Sequence, residues 1–210
     1  MLRLLVADDH AIVRQGLKMI LSEEFSPLVF GEARNGQELL AQLGKGQWDI
    51  VVLDITMPGR SGLDVLKEVK QQYPKLPILV LSMHPEDQFA VRVLKAGASG
   101  YLTKENVPEE VVKAIRKVIG GGRYVSASLA EKLAFDLRSD AERPLHEALS
   151  DREYQVMCMI ASGKTVKEIA EQLVLSIKTI STYRVRILEK LNMRTNAELT
   201  HYAVKNRLVD

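Results

Sequence analysis

The sequence predicts an α/β domain followed by an all-α one, and three observations carry that expectation. Short apolar runs alternate five times with stretches of helical period as far as Gly120-Gly121-Gly122; only helical signals follow; and 210 residues suffice for two modest domains, each with its own core. The strands are expected at Leu2–Ala7, Leu28–Ala33, Asp49–Ile55, Ile78–Ser82 and Gly100–Leu102. Between the first two, Ile12, Val13, Leu17, Ile20 and Leu21 repeat at the α period. Ile50-Val51-Val52-Leu53 is continuously apolar rather than alternating, as a central parallel strand covered on both faces must be. The fifth helix, Pro108–Ile119, carries Val111, Val112, Ile115, Val118 and Ile119, and the three glycines stop it. A doubly wound five-stranded parallel sheet is therefore expected over 1–121.

A linker over 122–148 comes next, with one connecting helix near Ser126–Leu137 (Leu129, Leu133, Leu137) and a polar stretch through Ser139, Asp140, Glu142, Arg143 and Pro144. From 149 to 210 the caps dominate. Ser150-Asp151-Arg152-Glu153 and Thr165-Val166-Lys167-Glu168 are capping boxes, Ser176 caps a third helix running to about Asn192, and Thr195 caps a fourth. Val174-Leu175-Ser176 leaves only a tight turn between the second and third, so the four helices contain a helix-turn-helix.

Composition narrows the class. With 46% apolar and 27% charged residues, and 13 Gly and 7 Pro without a period, the chain is neither fibrous nor disordered. No apolar run approaches the roughly 18–20 residues that cross a bilayer, and Asp8-Asp9 interrupts the N-terminus before a signal-peptide core forms; the expectation is a cytoplasmic protein without membrane contact. Cys158 has no disulfide partner in the chain, and His10, His84, His146 and His201 show no ligand spacing, so no His/Cys metal site is expected.

In a right-handed parallel sheet all strand C-termini open on one edge, and the polar residues of the first domain gather there. Asp8 and Asp9 end the first strand, Asp54 the third, Ser82 the fourth, and Lys104 follows the fifth. Three carboxylates brought together need raised pKa values or a cation; oxygen ligands favour Mg²⁺, which takes one or two carboxylates plus phosphate oxygens. With Lys104 and the Ser82 hydroxyl opposite, the pocket suits a transferred phosphoryl group, and Asp54 is its natural covalent acceptor. Taken singly, each of these residues reads equally as a turn or cap, Asp9 for the first helix; jointly they do not. Two lookalikes fail. Gly163-Lys164-Thr165 lacks the glycine and the strand of a P-loop, and Asp54-Ile55-Thr56 lacks the second aspartate of an aspartate-based phosphatase, which argues against sustained hydrolysis.

Residues 1–121 resemble a two-component response-regulator receiver domain of flavodoxin-like fold, through Asp8-Asp9, Asp54-Ile55-Thr56-Met57-Pro58-Gly59, Ser82 and Gly97-Ala98-Ser99-Gly100-Tyr101-Leu102-Thr103-Lys104. The resemblance implies that Asp54 accepts phosphate from a sensor histidine kinase. It also implies that Asp8, Asp9, Asp54 and the Thr56 main-chain carbonyl hold Mg²⁺, that Lys104 contacts the phosphoryl oxygens, and that Ser82 and Tyr101 form a switch pair.

The charge is informative once divided. Residues 1–121 carry 15 basic and 15 acidic side chains, 122–148 carry 4 and 5, and 149–210 carry 10 and 7, so the net +2 lies at the C-terminal end. On the third helix of that region Ile180, Ile187 and Leu191 share a buried face flanked by Tyr183 and Leu188, and Lys178, Ser181, Thr182, Val185, Arg186 and Glu189 lie opposite. Small groups allow approach to base edges in a major groove and basic ones anchor phosphates, with Val185 suited to a thymine methyl; Arg184 points inward. Residues 149–210 resemble the LuxR-type helix-turn-helix through Leu149-Ser150-Asp151-Arg152-Glu153, Glu168-Ile169-Ala170, Leu175-Ser176, Lys178-Thr179-Ile180 and Lys190-Leu191, and the whole chain resembles the NarL/FixJ class of response regulators. By position Lys178, Thr179, Ser181, Thr182 and Val185 are expected to touch double-stranded promoter DNA, with Arg186 and Lys190 near its backbone. The resemblance implies homodimers on two half-sites. The leading reading is a phosphorylation-controlled transcription regulator and not an enzyme, with no small-molecule substrate beyond phosphodonors. An adaptor that signals to a protein partner is the alternative, and an enzyme the weakest third.

Overall fold

Five parallel strands form one sheet in the order β2-β1-β3-β4-β5, with β1 at Leu2–Ala7, β2 at Leu28–Ala33, β3 at Ile50–Asp54, β4 at Ile78–Ser82 and β5 at Gly100–Thr103. In this computed structural model residues 1–57, 60–83, 86–126, 129–131, 144–206, 208 and 209 are described, and they divide into two units, Met1–Leu133 and Ala134–Asp210. The helices of the first unit are α1 (Ala11–Glu24), α2 (Gly36–Lys45), α3 (Gly62–Gln72), α4 (Glu86–Lys95) and α5 (Val107–Ile119). The expected α/β order is present.

Strand alternation sends Leu4, Val6, Ile50, Val52, Leu79 and Leu81 to one face, where they pack with Leu17 and Leu21 of α1 and Val111, Ala114, Ile115 and Val118 of α5. Leu5, Val51, Leu53 and Val80, pointing the other way, are equally buried. The continuous apolar run of β3 is thus sealed on both sides, and a polar residue on it survives only at its end, where Asp54 stands. The strand order reverses between β1 and β3, so the ends of those two strands flank the crevice of a doubly wound sheet.

The chain beyond the three glycines returns to the sheet. Gly121 adopts φ +82° and Gly122 N–H reaches back to the Lys117 carbonyl at 3.0 Å, ending α5. Tyr124 N–H then donates to Ser99 O (2.9 Å) and its carbonyl accepts from Tyr101 N–H (3.1 Å), covering the edge of β5. A Cβ at Gly100 would lie 2.7 Å from the Tyr124 carbonyl oxygen, so only glycine permits this approach. Of the expected linker helix, Ser126 Oγ accepts the Leu129 N–H (3.1 Å) and residues 129–131 are helical; its remainder and Ser139, Asp140, Glu142 and Arg143 lie outside the described residues, as do Pro58 and Gly59.

The second unit holds α6 (Asp151–Ala161), α7 (Val166–Leu173), α8 (Ile177–Lys190) and α9 (Asn196–Lys205) after a 3-10 turn at Leu145–Ala148. Both capping boxes are present, and Ser176 and Thr195 cap α8 and α9. α6 is buried on every side rather than on one stripe, because it is the helix that α7, α8 and α9 all pack against. Between α7 and α8 the turn is made by Val174 in the left-handed region (φ 53°, ψ 48°), a conformation that a β-branched residue adopts at a cost. No helix of the described residues is long and apolar enough to cross a membrane.

Candidate functional site: an acidic pocket and an exposed helix face

Asp8 and Asp54, each only 1% exposed, meet Lys104 at the sheet edge. Lys104 opens the 3-10 turn after β5, which brings its ammonium to 2.6 Å from Asp54 Oδ2 and 2.7 Å from Asp8 Oδ2. Burial works against the lysine's charge, but the two carboxylates outweigh it and hold its pKa above the ordinary value. Asp54 Oδ1 accepts the Thr56 N–H at 2.7 Å. Asp8 Oδ1 accepts the His10 N–H at 2.8 Å, while Asp8 Oδ2 is buried in ion-pair contact with Lys104 without a hydrogen bond of good geometry.

Asp9 stands at the mouth. It does not cap α1: His10 holds the N-cap position and makes no side-chain capping bond, so the structural alternative for Asp9 is absent. His10 instead points its Nδ1 at Asp9 Oδ1 (3.0 Å) and Asp8 Oδ1 (3.2 Å). Ligand atoms of Asp8, Asp9, His10 and Asp54 lie within 4.8 Å of one another. One imidazole, that of His10, thus joins the rim beside the expected carboxylates. A sequence signal existed in its adjacency to the acidic pair at a strand end. Oxygen donors from Asp8, Asp9 and Asp54 predominate, so the pocket fits a hard divalent cation such as Mg²⁺.

Ser82 ends β4 beside Thr103 of β5, and Tyr101 of β5 pairs with Val80; both are buried. Thr56 lies two residues past Asp54, bound to it through the backbone N–H, with its own Oγ1 buried and unpartnered. Asp8, Asp54, Thr56 and Lys104 are thus in direct contact. Ser82 and Tyr101 flank them along β4 and β5.

In the second unit α8 divides as its periodicity predicts. Ile180, Ile187, Leu188 and Leu191 are buried, whereas Lys178, Ser181, Thr182, Arg186 and Glu189 are exposed and Val185 is 50% exposed. Ser176 Oγ and Thr179 Oγ1 are 2.8 Å apart at the start of the helix, and Thr182 Oγ1 donates to the Lys178 carbonyl (2.9 Å). Arg184 Nε donates to Asn196 Oδ1 at 2.6 Å, in line with its inward placement. Lys190 reaches Glu153 Oε2 at 2.6 Å, tying α8 to the capping box of α6, a role that helical periodicity does not reveal.

Residues 4–116 match the family of the response regulator receiver domain, and residues 147–203 match the luxR family of bacterial regulatory proteins. The chain belongs to the response regulators of two-component systems, in the class that joins a receiver domain to a LuxR-type DNA-binding domain. Among its relatives, the response regulator UvrY of Escherichia coli K12 is 38% identical over 209 residues, covering 99% of this chain and 96% of that one. The response regulator GacA of Pseudomonas protegens is 39% identical over 210 residues, covering 100% and 99%. RcsB of Salmonella enterica serovar Typhimurium, solved bound to the rprA promoter with the phosphomimetic BeF3⁻, superposes with a TM-score of 0.64 at 29% identity and covers 97% of this chain and 99% of that one. This protein is accordingly a homologue of DNA-binding transcription regulators.

Proposed function

We propose that Asp54 accepts a phosphoryl group from a sensor histidine kinase and that the modified receiver alters dimerisation and promoter binding. The observation that carries this reading is the Lys104 ammonium held between Asp8 and Asp54, inside a pocket that also takes Asp9. An oxygen of Asp54 forms the new bond to phosphorus as the phosphorus–nitrogen bond of a phosphohistidine breaks, and the departing imidazole nitrogen keeps the electron pair. Asp8, Asp9, Asp54 and the Thr56 carbonyl would hold Mg²⁺, which would supply positive charge for the phosphoryl oxygens. Lys104 is already desolvated beside the acceptor and exchanges its carboxylate contact for a phosphoryl oxygen. The Ser82 hydroxyl turns to hydrogen-bond the new group, and Tyr101 moves into the space released. Reversal is slow self-hydrolysis only, since no second aspartate stands two residues beyond Asp54.

The division of labour is a receiver at 1–121, a linker at 122–148 and a DNA-binding domain at 149–210. Lys178, Thr179, Ser181, Thr182 and Val185 touch promoter DNA, with Arg186 and Lys190 near its backbone, and two copies of the chain engage two half-sites. The exposed small and basic face of α8 supports this, as does the RcsB relative bound to promoter DNA with a phosphomimetic. The protein works in the cytoplasm. The test is the Asp54→Asn variant with beryllofluoride and Mg²⁺: the wild type is expected to dimerise and bind operator DNA more tightly, and the variant to do neither. An Asp54→Asn protein that still responds would overturn the mechanism. A DNA affinity that does not fall by about 10³ between roughly 50 and 200 mM salt would favour the adaptor reading, because the counterions released by about six phosphate contacts should give that salt dependence.

A further inference from the structure

Arg14 is a buried cation on a helix face that otherwise carries core leucines. It occupies the inward side of α1 in sequence with Leu17 and Leu21, and is as buried as the residues around it, with 7% of its surface exposed. A guanidinium there must be paired or it costs several kcal/mol. Its partners explain its presence. Nη1 donates to the main-chain carbonyl of Asp8 at 2.8 Å, and Nε donates to Glu32 Oε2 on β2 at 3.0 Å.

Asp8 lies one residue past the end of β1, where the ladder no longer holds the backbone. Its N–H is fixed by the Ala33 carbonyl of β2 at 3.1 Å, while its carbonyl has no sheet partner among the described residues and takes the Arg14 guanidinium instead. The fork geometry of arginine lets one side chain hold two oxygens in fixed relation, one just past β1 and one on β2. We propose that Arg14 is a positioning residue for the acidic pocket: by clamping the Asp8 carbonyl against Glu32 it fixes the direction in which the Asp8 carboxylate enters the site. Asp8 Oδ2, buried and 2.7 Å from the Lys104 ammonium, is the atom whose aim depends on that clamp. Glu32 offsets the charge, so the pocket is oriented without a net positive charge being placed beneath it.

This inference rests on the phosphoacceptor reading, and the experiment separates the two. Mg²⁺ binding is followed by amide chemical shifts of the full-length protein, for the wild type, Arg14→Met and Arg14→Lys, alongside their thermal unfolding. Loss of an outer partner that orients a metal ligand costs about 10–100-fold in metal affinity, so Arg14→Met is expected to weaken Mg²⁺ binding at least about tenfold. Arg14→Lys keeps the charge but not the fork, and is expected to recover part of that loss while remaining measurably weaker than the wild type. A merely structural arginine would lower the unfolding temperature and leave the Mg²⁺ affinity of the folded protein unchanged. Wild-type affinity in a folded Arg14→Met protein overturns the inference; if that variant does not fold, wild-type affinity in Arg14→Lys does so. A wild-type protein that binds no Mg²⁺ would instead overturn the phosphoacceptor reading itself.

Discussion

Replacing Lys104 with methionine removes the cation from between two carboxylates while keeping most of the side chain's volume. Lys104 is 7% exposed along its side chain and its partners at 2.6 and 2.7 Å are at most 1% exposed, so bulk water cannot take over its role. Breaking a buried pair by removing one partner costs about 3–5 kcal/mol, because the remaining charges are left uncompensated. Here two like charges are left together, which places the cost in the upper part of that range. At about 3 °C per kcal/mol for a unit of this size, the receiver transition is expected to fall by about 10–15 °C in calorimetry without divalent ions. Mg²⁺ should restore more stability to the variant than to the wild type, since an ion that binds only the folded state stabilises it by mass action. The stability that this lysine supplies to the wild type does not vary around neutral pH. A raised lysine pKa contributes its stability in full below the ordinary value of 10.5 and loses it only as pH climbs through the folded value. An Lys104→Met protein that melts with the wild type in chelator would refute the conclusion that this ammonium neutralises the pocket.

Val174→Gly should raise the unfolding temperature of the DNA-binding unit, because about 1–2 kcal/mol of left-handed strain is removed and only part is returned as unfolded-state entropy; the net gain is about 1 kcal/mol. Glu153→Gln should destabilise the same unit by about 1 kcal/mol, a modest figure because Lys190 is 41% exposed and solvent screens the pair. Burial opposes the Glu153 charge, but Lys190 and the Ser150 hydrogen bonds prevail and hold its pKa below the usual carboxylate range. Its contribution is therefore complete above the unfolded value of about 4.3 and is lost as pH falls through the lower folded value, so acid unfolding of the variant should show a shallower slope. Arg186→Ala should weaken operator and non-operator DNA about equally and reduce the slope of log affinity against log salt by about 1, measured by fluorescence anisotropy.

Much of the molecule was legible in one dimension because its signals are local. Strand and helix order follows from apolar periodicity, helix starts from Ser150, Thr165 and Ser176 with their partners three residues on, and the α5 stop from glycine. The pocket was legible for a related reason: parallel strands share one direction, so residues at strand ends must converge on one edge. What folding alone decided are contacts between residues far apart in the chain, whose geometry depends on register and helix azimuth rather than on residue type. Lys104 between Asp8 and Asp54, Arg14 beneath Asp8, Tyr124 along β5 and Lys190 against Glu153 are all of this kind. His10 is the exception, a neighbour in sequence whose ring direction is set by the backbone turn after β1. Amino-acid order thus prescribed which groups arrive at the edge of the sheet. Only the packed chain could determine which atoms touch, because an ion pair or hydrogen bond forms or fails over a fraction of an ångström.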